Sequence, residues 1–209
     1  MENIHDYMER ALAEYSSGDH YKDLLEAKNY YFSITGQATE EDDDFELRMS
    51  AFNDWYILQY HKDTTLPKIL EFLELMSAED KVKELFKNIN HSLFEYCGLS
   101  FKKRHVFKDY IHDRKIKLDD ENARVSFVKG DLFIGRMMMN NEESASFLFG
   151  GMCFFPTEVK SVLKKEAKKV RQMKSPKEET KFLLKLEALK TKWQRFGHVD
   201  PTKIFLFND

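Results

Sequence analysis

Apolar side chains recur every three or four residues through the first ninety positions. Ile4, Met8, Ala11, Leu12 and Tyr15 hold that spacing until "SSGD", and Leu24, Leu25, Tyr31 and Phe32 resume it until "TGQ". Two short helices are therefore expected. A third follows in "TEEDDDFELRMSAFNDWYILQYH", with Thr39 as N-cap, acids in the first turns and an apolar stripe at Phe45, Met49, Phe52 and Tyr56. "TTLPKILEFLELM" and "SAEDKVKELFKNINHSLFEY" predict two more, the second opened by a capping-box-like Ser77 to Asp80.

After Gly98 the rhythm becomes two. "HVFKDYIHD" and "KIKLDD" alternate apolar and polar positions across "HDRK", which predicts a hairpin. "VKGD" is a turn that launches "DLFIGRMMM", and after "NNEES" the strand "ASFLFGGMCFF" returns and stops at Pro156. The pair Gly150 and Gly151 inside a strand marks a bulge or sharp bend; a phosphate loop would place its glycines directly before a helix. "PTEVKSVLKKEAKKVRQM" then reads as an amphipathic helix. Ser175, Pro176 and Glu178 open another as N-cap, N1 and N3, along which Phe182, Leu186, Leu189, Trp193 and Phe196 step by three and four. "KIFLF" ends the chain as a strand or a packed tail. The pattern predicts an α+β protein: a mainly helical N-terminal half, a small bent antiparallel sheet or barrel over about 99–156, and two C-terminal helices. Residues 1–209 read as a single compact unit with sub-regions 1–97, 98–156 and 157–209.

"FNDWYILQYH" with "TTLPKILEFL", then "NHSLFEYCGL", the "VFKDYI" hairpin and "VKGDLFIGRMMM" with "FLFGGMCFFPTEV" resemble an uncharacterised group of bacterial proteins. In that group a helical region with a D/E-W-aromatic motif precedes a small β-barrel-like segment bearing a GDL-x-x-x-R turn. The resemblance spans about residues 45–160 and implies architecture, with no activity attached. The cysteine-rich zinc-binding tail of some relatives has no counterpart here.

Composition narrows the class. Of 209 residues 42% are hydrophobic, 33% charged and 14% aromatic, including 18 Phe, which is too apolar for a disordered chain. Two cysteines, Cys97 and Cys153, without CxxC spacing and after a polar N-terminus point to a reducing cytoplasm. The longest apolar run, Phe147 to Phe155, is far short of the roughly 20 residues of a membrane span. The net charge of −3 is unevenly spread: residues 157–195 carry 13 basic and 5 acidic residues, the rest 20 and 31.

Candidate chemistry is sparse. His91 and Glu95 at i, i+4 would share a helical face, with His105 or His112 as a third metal ligand, but dispersed histidines and two distant cysteines make no zinc set, and ordinary polar packing is the expectation. Cys153 between Met152 and Phe154 reads as a small hydrophobe rather than a nucleophile paired with His105 or His112. No GxSxG, Walker, GxGxxG or HExxH pattern occurs. Asp54, on an apolar helix, is either a carboxyl with a raised pKa or half of a buried polar pair with Arg136 or Arg104, and Arg136 in turn can be held by Asp131, Asp109 or Asp54. Met137 to Met139 alternate faces of a strand and fill a core or line an adaptable surface.

The leading reading is a non-enzymatic, cytoplasmic binding or regulatory module with a protein partner, its contact row at Phe182, Leu186 and Trp193, which also allows a homo-oligomer. The alternative is a nucleic-acid-associated protein. There Lys160, Lys164, Lys168 and Arg171 form one helical row with Lys165 and Lys169 beside it, and the competing role for that row is a solvated face or one docked on the acidic Glu40 to Asp44 turn. A hydrolase or transferase built on Asp54, His91 and Arg136 ranks third. No catalytic residue, cofactor or metal is assigned.

Overall fold

The computed structural model describes residues 4–61, 66–119 and 126–207. Five helices open it: α1 (Ile4–Tyr15), α2 (Tyr21–Thr35), α3 (Phe45–Leu58), α4 (Lys68–Leu75) and α5 (Asp80–Lys87). Six strands follow, β1 (Ile89–Leu99), β2 (His105–Asp109), β3 (Arg114–Leu118), β4 (Leu132–Asn141), β5 (Ser144–Leu148) and β6 (Cys153–Phe155), and then α6 (Lys160–Met173) and α7 (Pro176–Arg195). The protein is α+β as its hydrophobic pattern predicts. Thr64, Thr65 and Asp120, which that pattern placed at the ends of a helix and a strand, lie outside the described residues.

The strands run in the order β1-β2-β3-β5-β4, and β4 pairs with β1 to close the ring, with β6 added alongside β4. Every pairing is antiparallel except β3 with β5, which meet at Lys117–Ser144 and Leu118–Ala145. A five-stranded ring closed 1-2-3-5-4-1, with strands 3 and 5 parallel, has the connectivity of the OB barrel. Its interior holds Phe94, Tyr96, Phe107, Ile116, Phe133 and Met137. Outward-facing Leu93, Leu132 and Ile134 pack under α6, α7 and the tail residues Ile204 and Phe205, and Met138 and Phe147 pack under α1–α5. The helices thus wrap the β1–β4 side, and β4 is buried along eight consecutive positions.

Three expectations need correction. The change of period falls at Ile89, not Gly98, so His91 and Glu95 lie on a strand. β1 is buried on both faces, Ser92, Phe94 and Tyr96 inward and Leu93 outward, and a doubly buried strand shows no clean alternation. The acids before α3 occupy turns rather than its first turn: the helix starts at Phe45, and the Asp42 carboxylate accepts the Thr39 amide at 2.9 Å. Ser77 likewise does not cap α5, whose N-cap is Glu79. Elsewhere α7 has the Ser175 cap and Pro176 at its start, the Ser175 hydroxyl accepting Glu178 N–H. The returning strand breaks at Gly150 and Gly151, so that β5 and β6 lie on different stretches of β4.

Candidate nucleic-acid interface

The side of the barrel that the helices leave open is the outer face of β2 and β3. Alternation puts Phe107, Asp109, Ile116 and Leu118 inside and Val106, Lys108, Lys115 and Lys117 outside. Register then sets the cations side by side: Lys117 opposite Val106, Lys115 opposite Lys108, and Lys108 opposite Glu95 of β1. Glu95 receives Lys160 and Lys164 of α6, the latter at 2.7 Å, and the Tyr110 hydroxyl. Burial pushes the Glu95 carboxyl up, but these donors hold it down at about 2. Lys164 also stands 4.8 Å from the Tyr110 ring centroid. At the turn between β2 and β3, Asp113 takes Lys108 and, at 2.8 Å, Arg171. The barrel lysines and the α6 row are therefore one continuous basic belt, with Glu95 and Asp113 set within it.

The loop joining β1 to β2 completes this face. At the β1 bulge between Tyr96 and Gly98, Gly98 takes a φ of +104°, open to glycine at little cost, and the chain turns outward. Ser100 N–H donates to Arg104 O, Lys103 N–H to Ser100 O, and the Ser100 hydroxyl accepts Arg104 N–H, so the loop is tight. On its tip Phe101 is fully exposed between Leu99, itself 59% exposed, and Lys102 and Lys103. Asp119, at the end of β3, binds Arg104 of this loop and, from the β4–β5 side, Ser144 and Asn140. The two loops that flank the binding face of an OB barrel are thereby tied to one carboxylate. Among the described residues Lys102, Lys103, Lys115 and Lys117 have no carboxylate partner.

The residues singled out from sequence fall into different places. Lys165 and Lys168 of the α6 row have no ion pair among the described residues, Lys169 pairs with Glu166 at 3.1 Å, and Lys160, Lys164 and Arg171 are the links to the barrel just described. The row does not dock on Glu40 to Asp44 through any of these pairs. Phe182 and Leu186 are buried and Trp193 is partly buried, all within the core under α7, so this row is internal packing. Met137, Met138 and Met139 are also buried. Cys97 and Cys153 are unpaired, and burial pushes the Cys153 thiol well up. Among the described residues no trio of His, Cys, Asp and Glu side chains is placed to hold a metal, and no helix is long and apolar enough to cross a membrane.

Asp54 and Arg136 are both buried and come close without an ion-pair contact. Arg136 is 0% exposed; its Nε donates to Gln59 Oε1 at 2.7 Å, while neither Nη has a partner among the described residues. Its charge acts on Asp54, His91, Tyr31 and Glu187. Burial pushes Asp54 up to about 6 against that charge and against the Gly151 N–H, which it accepts at 2.8 Å. Burial and Arg136 both push His91 well down, so it is neutral at pH 7. Sequence reasoning passed over Glu187, buried and bound by the Tyr31 hydroxyl, and Phe101, whose exposure depends on the loop.

Fold and site define a class: a small closed β-barrel, clasped on one side by helices and basic on the other. A model described as "Family of unknown function (DUF7986)" matches residues 14–189, so the chain belongs to that family. This agrees with its resemblance to a group without an assigned activity. No curated protein and no solved structure matches the chain.

Proposed function

We propose that this protein binds single-stranded nucleic acid across the open face of its barrel. The observation that carries the reading is the basic belt from Lys102 and Lys103 through Lys117, Lys115 and Lys108 to the α6 row, with a fully exposed phenylalanine at one end. A charged track for phosphates beside an aromatic platform for a base is how single strands are held without sequence readout. The OB connectivity supports this by analogy of fold, since that barrel binds on this face. The overall charge of −3 does not oppose it, because exposed charges beyond about 10 Å are screened at 0.1 M salt. We also place the protein in a reducing, cytoplasmic setting, which its two unpaired thiols support.

Anisotropy of fluorescein-labelled dT15 and rU15 tests the reading. Affinity should fall linearly on a log–log plot as salt rises, with a slope of several units. The Lys115→Glu/Lys117→Glu double variant should weaken binding about tenfold or more and flatten the slope, and Phe101→Ala should cost about 1–3 kcal/mol with the slope unchanged. Absence of binding at 50 mM salt, or binding indifferent to these variants, overturns it. Capture of a protein partner through Leu99 and Phe101 in place of nucleic acid would return the function to a protein-binding module.

A further inference from the structure

A cleft of about 270 Å³ lies on the opposite flank, between α2, the start of α3, α7 and β6. Its inner walls are apolar, from Leu47 and Ala51 of α3 to Met152 and Phe154. Glu187 lines it and is 7% exposed; Oε2 accepts the Tyr31 hydroxyl, and Oε1 accepts no hydrogen bond among the described residues. An outer chamber shares Asp43, Asp44 and Arg48 with this cleft and adds Glu41, Asp42 and Arg195.

The charges around the cleft do not cancel. Glu187 in its wall feels the guanidinium of Arg136 buried behind it, which acts on Asp54 as well, and that of Arg48, also in the wall. Outside, four carboxylates at 41–44 meet two arginines: Arg48 pairs with Asp42 at 3.3 Å and also donates to Gln37 O and Gly36 O, and Arg195 donates to Gln37 O at 2.6 Å, which leaves carboxylates in excess. Lys190, the remaining cation at the wall, has its Nζ 4.6 Å over the Trp193 ring. A mostly apolar cavity with a few convergent polar groups is the usual form of a small-ligand site, and an acidic entrance concentrates cations. We propose that the cleft binds a small organic cation, an ammonium on an apolar body, whose N–H groups reach Glu187 Oε1 while the body fills the space between Leu47 and Phe154. The site is distinct from the basic barrel face and does not depend on the nucleic-acid reading.

Calorimetric titration of the full chain at pH 7 with phenethylamine and with phenylacetate, equal in body and opposite in charge, tests this. Saturable binding of the amine alone is expected. Glu187→Gln should weaken it about tenfold or more, the cost of a charge-assisted hydrogen bond. Leu47→Trp, at a residue 48% exposed, should fill the mouth and abolish binding with the fold intact, which keeps the test decisive should Glu187→Gln fail to fold. Lys115→Glu/Lys117→Glu should bind the amine as wild type does. Equal binding of both probes, no saturation by the amine, or undiminished binding in Leu47→Trp overturns the proposal.

Discussion

Asp109 shows what a buried carboxylate needs. It is 0% exposed and accepts Asn90 Nδ2 at 2.9 Å, the Ser92 hydroxyl, His112 Nδ1 at 2.9 Å, and the backbone N–H groups of Ile111 and His112. Burial pushes its carboxyl up, but these donors hold it at about 2, below the ordinary 3.8. Its contribution to stability is therefore present above pH 3.8 and lost as pH falls through about 2. By linkage this is about 2.5 kcal/mol, and urea unfolding between pH 4 and 2 should show the loss in wild type and not in Asp109→Asn. At pH 7 that variant should cost about 3 kcal/mol, because several donors lose a charged acceptor. Asp54 has the opposite sign. Its carboxyl is raised from 3.8 to about 6, so the folded state favours the neutral form and stability falls as pH rises across that window. Asp54→Asn keeps an acceptor for Gly151 N–H and should flatten the unfolding free energy between pH 4 and 6. The burial of Asp54 and Arg136 was legible because each interrupts an apolar run, but their partners, Gly151 N–H and Gln59, were not. Glu187 was not, since the apolar positions of α7 put it on a flank, and only the place of Tyr31, 156 positions earlier, makes it internal.

At the scale of elements, the α-helix rhythm identified α1, α2, α6 and α7, where one face is wet. It also found α3, though starting it too early at Thr39 rather than Asp44, and it misread β1 as helix. The acids before Phe45 looked like a first turn but close turns of their own, and β1 is covered on both sides, so it shows no polar face from which to read a period. The join of α3 to the barrel is tight. A Cβ on Gly151 would lie 2.5 Å from Ala51 Cα and 2.6 Å from Asp54 Oδ2. Gly151→Ala should therefore destabilise by about 2–3 kcal/mol or more, measured by chemical denaturation, because backbone must move. Ser175→Ala removes the α7 cap and should cost about 1 kcal/mol by the same measurement.

For the whole molecule, the barrel was legible as strands but not as a ring. Closure rests on the contact of β3 with β5, two residue pairs between segments 26 positions apart, which no local pattern announces. The basic face was legible only by half: α6 advertises its lysines in sequence, whereas Lys108, Lys115 and Lys117 join them solely through strand register. A single cooperative unit remains our expectation for residues 1–209, since β4 contributes side chains to all three apolar clusters. Coincident unfolding transitions by far-ultraviolet circular dichroism and tryptophan fluorescence check it. Leu163→Ala, under the α6 face, should destabilise by about 2–5 kcal/mol and lower both midpoints together.

Arg136 has one more consequence for β4. A strand apolar on both faces would tolerate sliding past its neighbours, because either set of side chains suits a greasy surrounding. Moving this one by a single position would thrust a guanidinium into the barrel among Phe94, Phe107 and Ile116, stripped of Gln59 and of the carboxylates of Asp54 and Glu187. One charge in an otherwise interchangeable row thus rules out the misaligned barrel.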